Sequence, residues 1–458
     1  MNPQKILNLI KKKYSVLKSF TRGGIHPPEE KLSANTGILN LPLPETVIIP
    51  ASQHLGTPAK ITVNRGDEVK TGQLIARADG FVSSHVHASV SGKVSKIEEV
   101  TDVSGYRRQA VFIDVSGDEW VESVIREDFL DKNIKQSGDE IIRKITDAGI
   151  VGMGGATFPT QVKLTIPRGK KVDSLVINGA ECEPYLTSDH RLMLEKGEEI
   201  MVGIELLKIA LNVDIAHIGI ENNKPNALQL MQQLAASRNG IVVHALQTKY
   251  PQGGEKQLIQ AILKREVPSG GLPVDVGVIA FNVGTAFAVY EAVQKNKPLI
   301  ERIVTITGKS VKQPANFRVR IGTLVSHLIK ASGGLPENTG KIICGGPMMG
   351  KALSNADIPV VKGTSGILLI SEAEAGRKIT QPCVRCAKCV SVCPMGLEPY
   401  LLMPLSEQKN NNRLEAEHIM DCIECGSCSY TCPANRPLLD YIRLGKSNVG
   451  KIIRSRKK

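Results

Sequence analysis

Eight of the ten cysteines fall in two runs, CVRCAKCVSVCP at 383–394 and CIECGSCSYTCP at 422–433, displaced by 39 positions. Each run reads C-x2-C-x2-C-x3-C-P. A cubane iron–sulfur cluster needs four thiolates converging on a compact cage. This spacing lets one tight loop supply three corners while the fourth cysteine reaches the other cage. On that rule Cys383, Cys386, Cys389 and Cys432 hold one [4Fe-4S] cluster, and Cys422, Cys425, Cys428 and Cys393 hold a second. Structural zinc sites instead present separated C-x2-C pairs, so zinc is a poor match. Pro394 and Pro433 are expected to turn the chain away from each loop and start a short helix. Cys182 and Cys344 lack a second thiol nearby and stay outside the metal sites, Cys344 as a buried small hydrophobe.

A one-electron relay needs a source and a sink. In VGMGGATFPTQVKL (151–164), Gly152, Gly154 and Gly155 suit a loop whose N–H groups point at phosphate oxygens, because no Cβ blocks the approach. Lys163 offers a point charge to the same anion. Taken alone the stretch reads better as a plain glycine turn, since Thr157 breaks the G-x-G-x-x-G pattern and a helix rather than a strand precedes it. Asn178, Glu181 and Glu183 then cluster after the apolar strand in VDSLVINGAECEP, where open α/β sheets bind ligands. Asn282 and Thr285 stand in the loop of GVIAFNVGTAFAVYEAV. Singly, the acids read equally well as solvated loop residues. Several successive strand–loop–helix units predict a mostly parallel, Rossmann-like sheet with a nucleotide or flavin crevice.

These residues must be positioned by several units, since 458 residues exceed one hydrophobic core. Residues 1–43 read as a basic amino-terminal segment. Residues 44–119 hold VNRGDEVKTGQ and HASVSGKV, the halves of a biotinyl/lipoyl-like barrel sandwich. Its hairpin turn, Ala78-Asp79-Gly80-Phe81, lacks the lysine that would carry a swinging arm. His54, His85 and His87 read as packing or surface residues rather than ligands. Residues 120–297 form the α/β unit with the nucleotide or flavin crevice, with 120–150 expected helical, Ser137 as N-cap and Gly149 near the carboxyl end. Residues 298–375 read as strand, turn, strand, helix, strand, a β-grasp (SLBB-like) module with its connector. A two-cluster ferredoxin-like domain spans 376–445, followed by a basic tail at 446–458. The fold class is multidomain α/β plus β.

Composition narrows the function. Aromatics make up only 4% of the chain, against a single-strand nucleic-acid platform built on base stacking. The net charge of +13 gathers at the ends: five lysines in the first twenty residues, five basic residues in KIIRSRKK. Such ends are either solvated or drawn to an anionic surface. MNPQKILNLIKKKYSVLKSF reads as a short amphipathic helix. No stretch reaches the roughly 18 apolar residues of a spanning helix, and no secretory signal is evident. A cytoplasmic protein resting on a membrane surface is expected.

GMGGATFPTQVKL, LVINGAECEP, YPQGGEKQLIQAI, FNVGTAFA, a β-grasp module and a cysteine motif follow in that order. The series resembles the flavin- and NADH-binding subunit of respiratory complex I. It resembles more closely the C-subunit family of the Rnf complex, a membrane-associated ferredoxin:NAD+ oxidoreductase that moves Na+ or H+. FTRGGIHPPEEK, the lysine-free sandwich and the second ferredoxin-type run carry that preference. The resemblance implies non-covalent FMN lined by Gly152, Gly154, Gly155 and Lys163, with Asn178 and Glu181 on the flavin and Asn282 and Thr285 on its phosphate or ribityl region. It implies Phe158, Glu183 and Glu255 facing NAD(H), the substrate. No side chain is assigned a catalytic proton transfer. Compared with complex I, Met153 replaces an arginine, Ala180 replaces an acid, and Gly254-Glu255-Lys256 breaks a pair of acids. The implied partners are other members of the membrane complex, ferredoxin indirectly, and no nucleic acid. The implied place is peripheral, on the cytoplasmic side of the bacterial cell membrane. Two rivals stand beside this reading. One is a soluble flavin/iron–sulfur cobalamin reductase of bacterial microcompartments, which would lack the amino-terminal segment and basic ends. The other is a basic zinc protein binding nucleic acid.

Overall fold

The computed structural model describes residues 17–456. The expected helix over the first twenty residues therefore lies almost entirely outside the described residues, as do the last two lysines. What is described of the amino-terminal segment is not a free tail. Lys18 bridges Leu246, Ile25 bridges Tyr250, and Ile38–Asn40 adds a parallel strand to Ala315–Arg320. The strap thus stitches the flavin-type unit to the β-grasp sheet.

The sandwich sets a four-stranded sheet (Thr46–Pro50, Glu68–Val69, Ser91–Thr101, Arg107–Gly117) against a three-stranded one (Lys60–Ile61, Leu74–Arg77, Val86–His87). Alternating residues such as Val47, Ile49, Ile75, Val94 and Ile113 fill one core between them. Its hairpin tip leaves Phe81 66% exposed. His87 is buried, and burial lowers its pKa to about 3, so its ring is neutral.

The helix Gly138–Asp147 begins where expected: Ser137 Oγ accepts from Glu140 N–H, and the Glu140 carboxylate accepts from Ser137 N–H. Ile141 and Ile145 bury its inner face. It stops before Gly149, at φ +64°, where a Cβ would collide with the His85 carbonyl. Residues 120–136 are not helical, contrary to expectation. Their backbone is drawn to tertiary partners instead: Val121 N–H to Thr71 O, Ile125 N–H to Lys295 O, and Asp131 N–H to the Tyr290 hydroxyl.

Four parallel strands follow, in spatial order Ile241–Leu246, Ile215–Glu221, Ser174–Asn178, Val278–Asn282. Helices cover both faces. Gly197–Leu211 and Val283–Lys295 pack on one apolar core, and Glu255–Leu263 on the other. The β-grasp sheet has six strands, with Gly366–Ser371 inserted between Glu301–Thr307 and Thr339–Cys344, and Val325–Ala331 as its helix. The last unit is helical, closed by Pro399–Glu407 and Leu438–Arg456 over Leu402, Leu414, Ile419 and Ile442. Pro394 and Pro433 only open turns; the helices they were expected to start begin at Pro399 and Leu438.

Candidate functional site

The Ser174–Asn178 and Val278–Asn282 strands are neighbours, yet the chain reaches the other two strands first and returns for the latter. That makes their carboxyl ends a topological switch point, where open sheets leave a crevice. Asn178 and Asn282 stand opposite each other in register at its floor. Asn282 caps the Val283–Lys295 helix by accepting from Gly284 N–H at 2.7 Å, so the positive end of the helix dipole is presented here. The glycine loop lies alongside. Gly152 N–H donates to Phe158 O at 2.8 Å, closing it, and Met153 N–H donates to Thr285 Oγ1 at 2.9 Å. Gly154 has φ +72°, and a Cβ there would lie 2.8 Å from Asn282 Nδ2. At Gly155 a Cβ would meet nothing.

Lys163 reaches into the same place from its short helix, with Nζ 2.6 Å from Glu255 Oε1 and 3.0 Å from the Ala280 carbonyl. Asn178 Nδ2 donates to Gly253 O at 2.9 Å, tying the Tyr250–Gly254 loop to the crevice. Open glycine backbone, a helix N-terminus and an ammonium suit the phosphate of a flavin nucleotide. The fold therefore gathers Gly152, Gly154, Gly155, Lys163, Asn178, Glu255, Asn282 and Thr285 around one crevice, with Phe158 half-buried at its edge.

Two expected ligands are engaged elsewhere. Glu181, at φ +47°, accepts from Asp189 N–H at 2.7 Å and His190 N–H at 3.2 Å. Its carboxylate caps the Ser188–Glu195 helix instead of pointing at a ligand. Glu183 accepts from Met349 N–H at 2.8 Å and Met348 N–H at 3.1 Å, and its Oε1 lies 3.4 Å from the Tyr250 hydroxyl. Burial raises its pKa to about 7, against the pull of those backbone donors. It pins the Gly346–Met349 turn of the β-grasp unit to the flavin-type unit, and a Cβ at Gly346 would collide with it. The physical reason is common to both. A buried carboxylate is satisfied by the donors the fold brings to it, and sequence spacing does not show which those are.

Three residues without a sequence signal hold this arrangement. Lys31 donates to the carbonyls of Leu186 (2.7 Å), Glu181 (2.9 Å) and Glu183 (2.9 Å), fixing the bent loop. Its burial lowers its pKa to about 8. Asp189 accepts from Asn282 Nδ2 at 2.6 Å; burial, then the charge of Glu181, pushes it up. Arg302, from the β-grasp sheet, lies against the Met153 sulfur. Lys31 sits in a stretch without periodicity, and Arg302 in another unit.

The cysteine loops are alike in backbone. Arg385, Ala387 and Gly396 in the first have positive φ, as do Glu424, Gly426 and Asn435, each 39 residues later. Such paired left-handed residues wrap a loop tightly enough to aim three thiols inward. One apolar cavity is lined by Cys393, Cys422, Cys425 and Cys428 together with Leu397, Leu402, Leu439 and Ile442. Cys389 is pushed up by burial, then by Cys432 and Cys383. The cavity grouping of Cys393 with Cys422, Cys425 and Cys428 fits a cubane whose fourth ligand comes from the other run. Tyr250, wholly buried, joins crevice to cysteines: its hydroxyl donates to the Cys425 carbonyl at 2.8 Å. His54, His85 and His87 lie in the sandwich, Cys182 accepts from Gly253 N–H at 3.2 Å, and Cys344 ends a β-grasp strand.

Family comparisons match this layout. Residues 19–118 match the RnfC barrel sandwich hybrid domain, 145–291 the Nuo51 FMN-binding domain, 303–352 the SLBB domain, and 376–434 the 4Fe-4S dicluster domain. The C subunit of the proton-translocating ferredoxin:NAD(+) oxidoreductase complex of Clostridium ljungdahlii is 48% identical, covering 94% of each chain. Its Na(+)-translocating counterpart in Acetobacterium woodii is 45% identical over 93% of this chain and 96% of its own. The C subunit of the ion-translocating oxidoreductase complex of Rhodobacter capsulatus is 43% identical over 84% of this chain and 75% of its own. Among solved structures, an NAD+-reducing [NiFe]-hydrogenase chain aligns at TM-score 0.49 and 18% identity, over 68% of this chain and 63% of its own. Crevice, cysteine loops and the shared sequence together place the chain in the family of C subunits of ion-translocating ferredoxin:NAD+ oxidoreductase (Rnf) complexes.

Proposed function

We propose that this chain is the NAD(H)-facing peripheral subunit of a membrane ion-translocating ferredoxin:NAD+ oxidoreductase. In it, hydride is exchanged between NAD(H) and non-covalent FMN, and single electrons pass through two [4Fe-4S] clusters to or from partner subunits. The observation that carries the reading is the Tyr250 hydrogen bond to the Cys425 carbonyl, which ties the loop that Asn178 anchors at the crevice to the second cysteine loop. Bound FMN supplies the interchange of paired and single electrons that neither nicotinamide nor cubane performs alone.

The chain's own residues bind and orient. Gly154 and Gly155 offer N–H donors to a phosphate near the positive end of the Val283–Lys295 helix, and Lys163 balances its charge while Glu255 holds the ammonium in place. Asn178 anchors the Tyr250–Gly254 loop at the crevice, and Asn282 bonds Asp189 of the Ser188–Glu195 helix. Glu183, Tyr250 and Met348 bond and pack together beside Cys425. No helix among the described residues is long and apolar enough to cross a membrane. A cytoplasmic-side location is part of this proposal, in keeping with NAD(H) as substrate.

Kinship across the amino-terminal sandwich as well as the flavin and cluster parts does not favour a soluble cobalamin reductase. The test is an anaerobic spectrum of the fully loaded chain. NADH should bleach flavin and iron–sulfur absorbance together, with about eight irons per chain. A loaded chain that NADH leaves unbleached would overturn the reading.

A further inference from the structure

The barrel sandwich lacks the lysine that would make it a carrier, and its place in the molecule suits another task. Its loops lie against the glycine loop. Leu55 N–H donates to Thr157 O at 3.3 Å, and Gln161 Nε2 donates to Ser83 O at 2.7 Å. The segment leading into the Gly366–Ser371 strand closes the same joint. Lys362 N–H donates to Gln53 Oε1 at 3.0 Å, and Lys362 Nζ donates to the His85 and Gly149 carbonyls at 2.6 Å each. A Cβ at Gly149 would lie 2.8 Å from that ammonium, and one at Gly363 would collide with the Thr157 methyl. Thr364 O accepts from Arg302 Nε at 3.3 Å, and Arg302 lies against the Met153 sulfur. The glycine loop is thus gripped at its entry by Lys362, at Met153 by Arg302, and at its exit by Gly363, Leu55 and Gln161.

Packing alone does not account for a lysine at this joint. Lys362 is 1% exposed, burial lowers its pKa to about 7, and among the described residues no carboxylate pairs with it. A buried ammonium costs far more than an apolar side chain of similar length. What it provides is a bridge between carbonyls of two units, one of them Gly149 O, just past the negative end of the Gly138–Asp147 helix. Gly154 and Gly155 lie between these grips, in a turn outside any helix or strand. Such a turn keeps its N–H groups aimed at an anion only when both of its ends are held.

We propose that the sandwich is the abutment of the glycine loop, with Lys362 and Gln161 as positioning residues that preset the loop's N–H groups for the phosphate of a flavin nucleotide. The inference rests on the FMN site proposed above and gives the sandwich a part in it. No bond is made or broken. The clamp acts by lowering the ordering cost of binding.

The test compares FMN with riboflavin, which lacks the phosphate, by equilibrium dialysis against the full chain with its iron–sulfur centres loaded and its flavin removed. The parent should bind FMN at least tenfold more tightly than riboflavin. Lys362→Met keeps the length of the side chain and removes its charge and donors. It should weaken FMN about tenfold and leave riboflavin within about twofold, whereas a general loosening of the fold would weaken both. Equal weakening of both flavins, or of neither, would overturn the clamp. Should Lys362→Met fail to fold, Gln161→Ala, at a partly exposed side chain, decides in its place. FMN weakened about threefold with riboflavin unchanged upholds the clamp; no change, or an equal loss of both, overturns it. A parent that binds FMN no better than riboflavin would overturn phosphate recognition by the loop and the clamp with it. A parent that binds neither sinks the FMN site itself, whereas discrimination kept in the variants sinks only the clamp.

Discussion

Lys163 enters the crevice from its short helix, held by Glu255 and the Ala280 carbonyl. Removing it leaves the helix dipole and the glycine loop without a full positive charge to meet a phosphate. Lys163→Ala should lower the flavin content of purified protein at least tenfold while the iron content is retained; extraction and absorbance at the flavin band measure it, and unaltered flavin would remove Lys163 from the site. Tyr250 poses a different question. Tyr250→Phe keeps the ring and deletes the donor to the Cys425 carbonyl, leaving a buried acceptor unpaired at a cost of about 1–3 kcal/mol. The variant should melt earlier by its visible cluster absorbance, and an unchanged melting temperature would show that water replaces the hydroxyl.

Elements hold these residues by their ends and seams. The Gly138–Asp147 helix leads into the glycine loop, and its Ser137–Glu140 capping box fixes where it starts. Ser137→Ala should cost about 1 kcal/mol, seen as a lower melting temperature with the cofactor content of folded protein unchanged. The seam between flavin-type unit, β-grasp sheet and sandwich runs through Glu301. Lys297 lies 2.6 Å from its carboxylate and Arg320 3.2 Å; Arg320 also reaches Asp118 at 2.8 Å. Burial works to raise the Glu301 pKa, but Lys297, Arg320 and Arg318 hold it down at about 2, against an ordinary 4.5. A depressed carboxylate stabilises the fold fully above its unfolded pKa and loses that contribution as pH falls through the folded one. Glu301→Gln should therefore be less stable than the parent by on the order of 3 kcal/mol above pH about 4.5, the gap closing toward pH about 2. Melting curves across that range decide it, and a gap independent of pH would assign the loss to packing.

At the scale of the whole molecule, the Tyr250 hydrogen bond ties the loop beside the crevice to the second cysteine loop, and the amino-terminal strap crosses both flavin-type and β-grasp sheets. The chain has no spanning helix among its described residues. In its native host it should co-purify with membranes, and high salt should release it, since charge at the basic ends and polar contacts with its partners are screened. Retention through a salt wash would point to apolar contacts instead.

Much of this was legible in one dimension. Cysteine spacing is a local property, and the 39-residue repeat of left-handed positions follows from loops short enough to be dictated by their own residues. The Ser137 cap, the strand–loop–helix order and the β-grasp succession are likewise set within a few turns of chain. The partners of buried charges were not legible. Glu181 and Glu183 read as ligands because they stand at a strand's end, yet donors from a neighbouring helix and from residues 348–349 claim them. Lys31, more than a hundred residues before the carbonyls it serves, carries no mark of that task. Short-range geometry is encoded where it acts. A buried polar group takes whichever partner the assembled fold delivers, and only the tertiary structure decides that, because leaving it unpaired costs more than any local preference is worth.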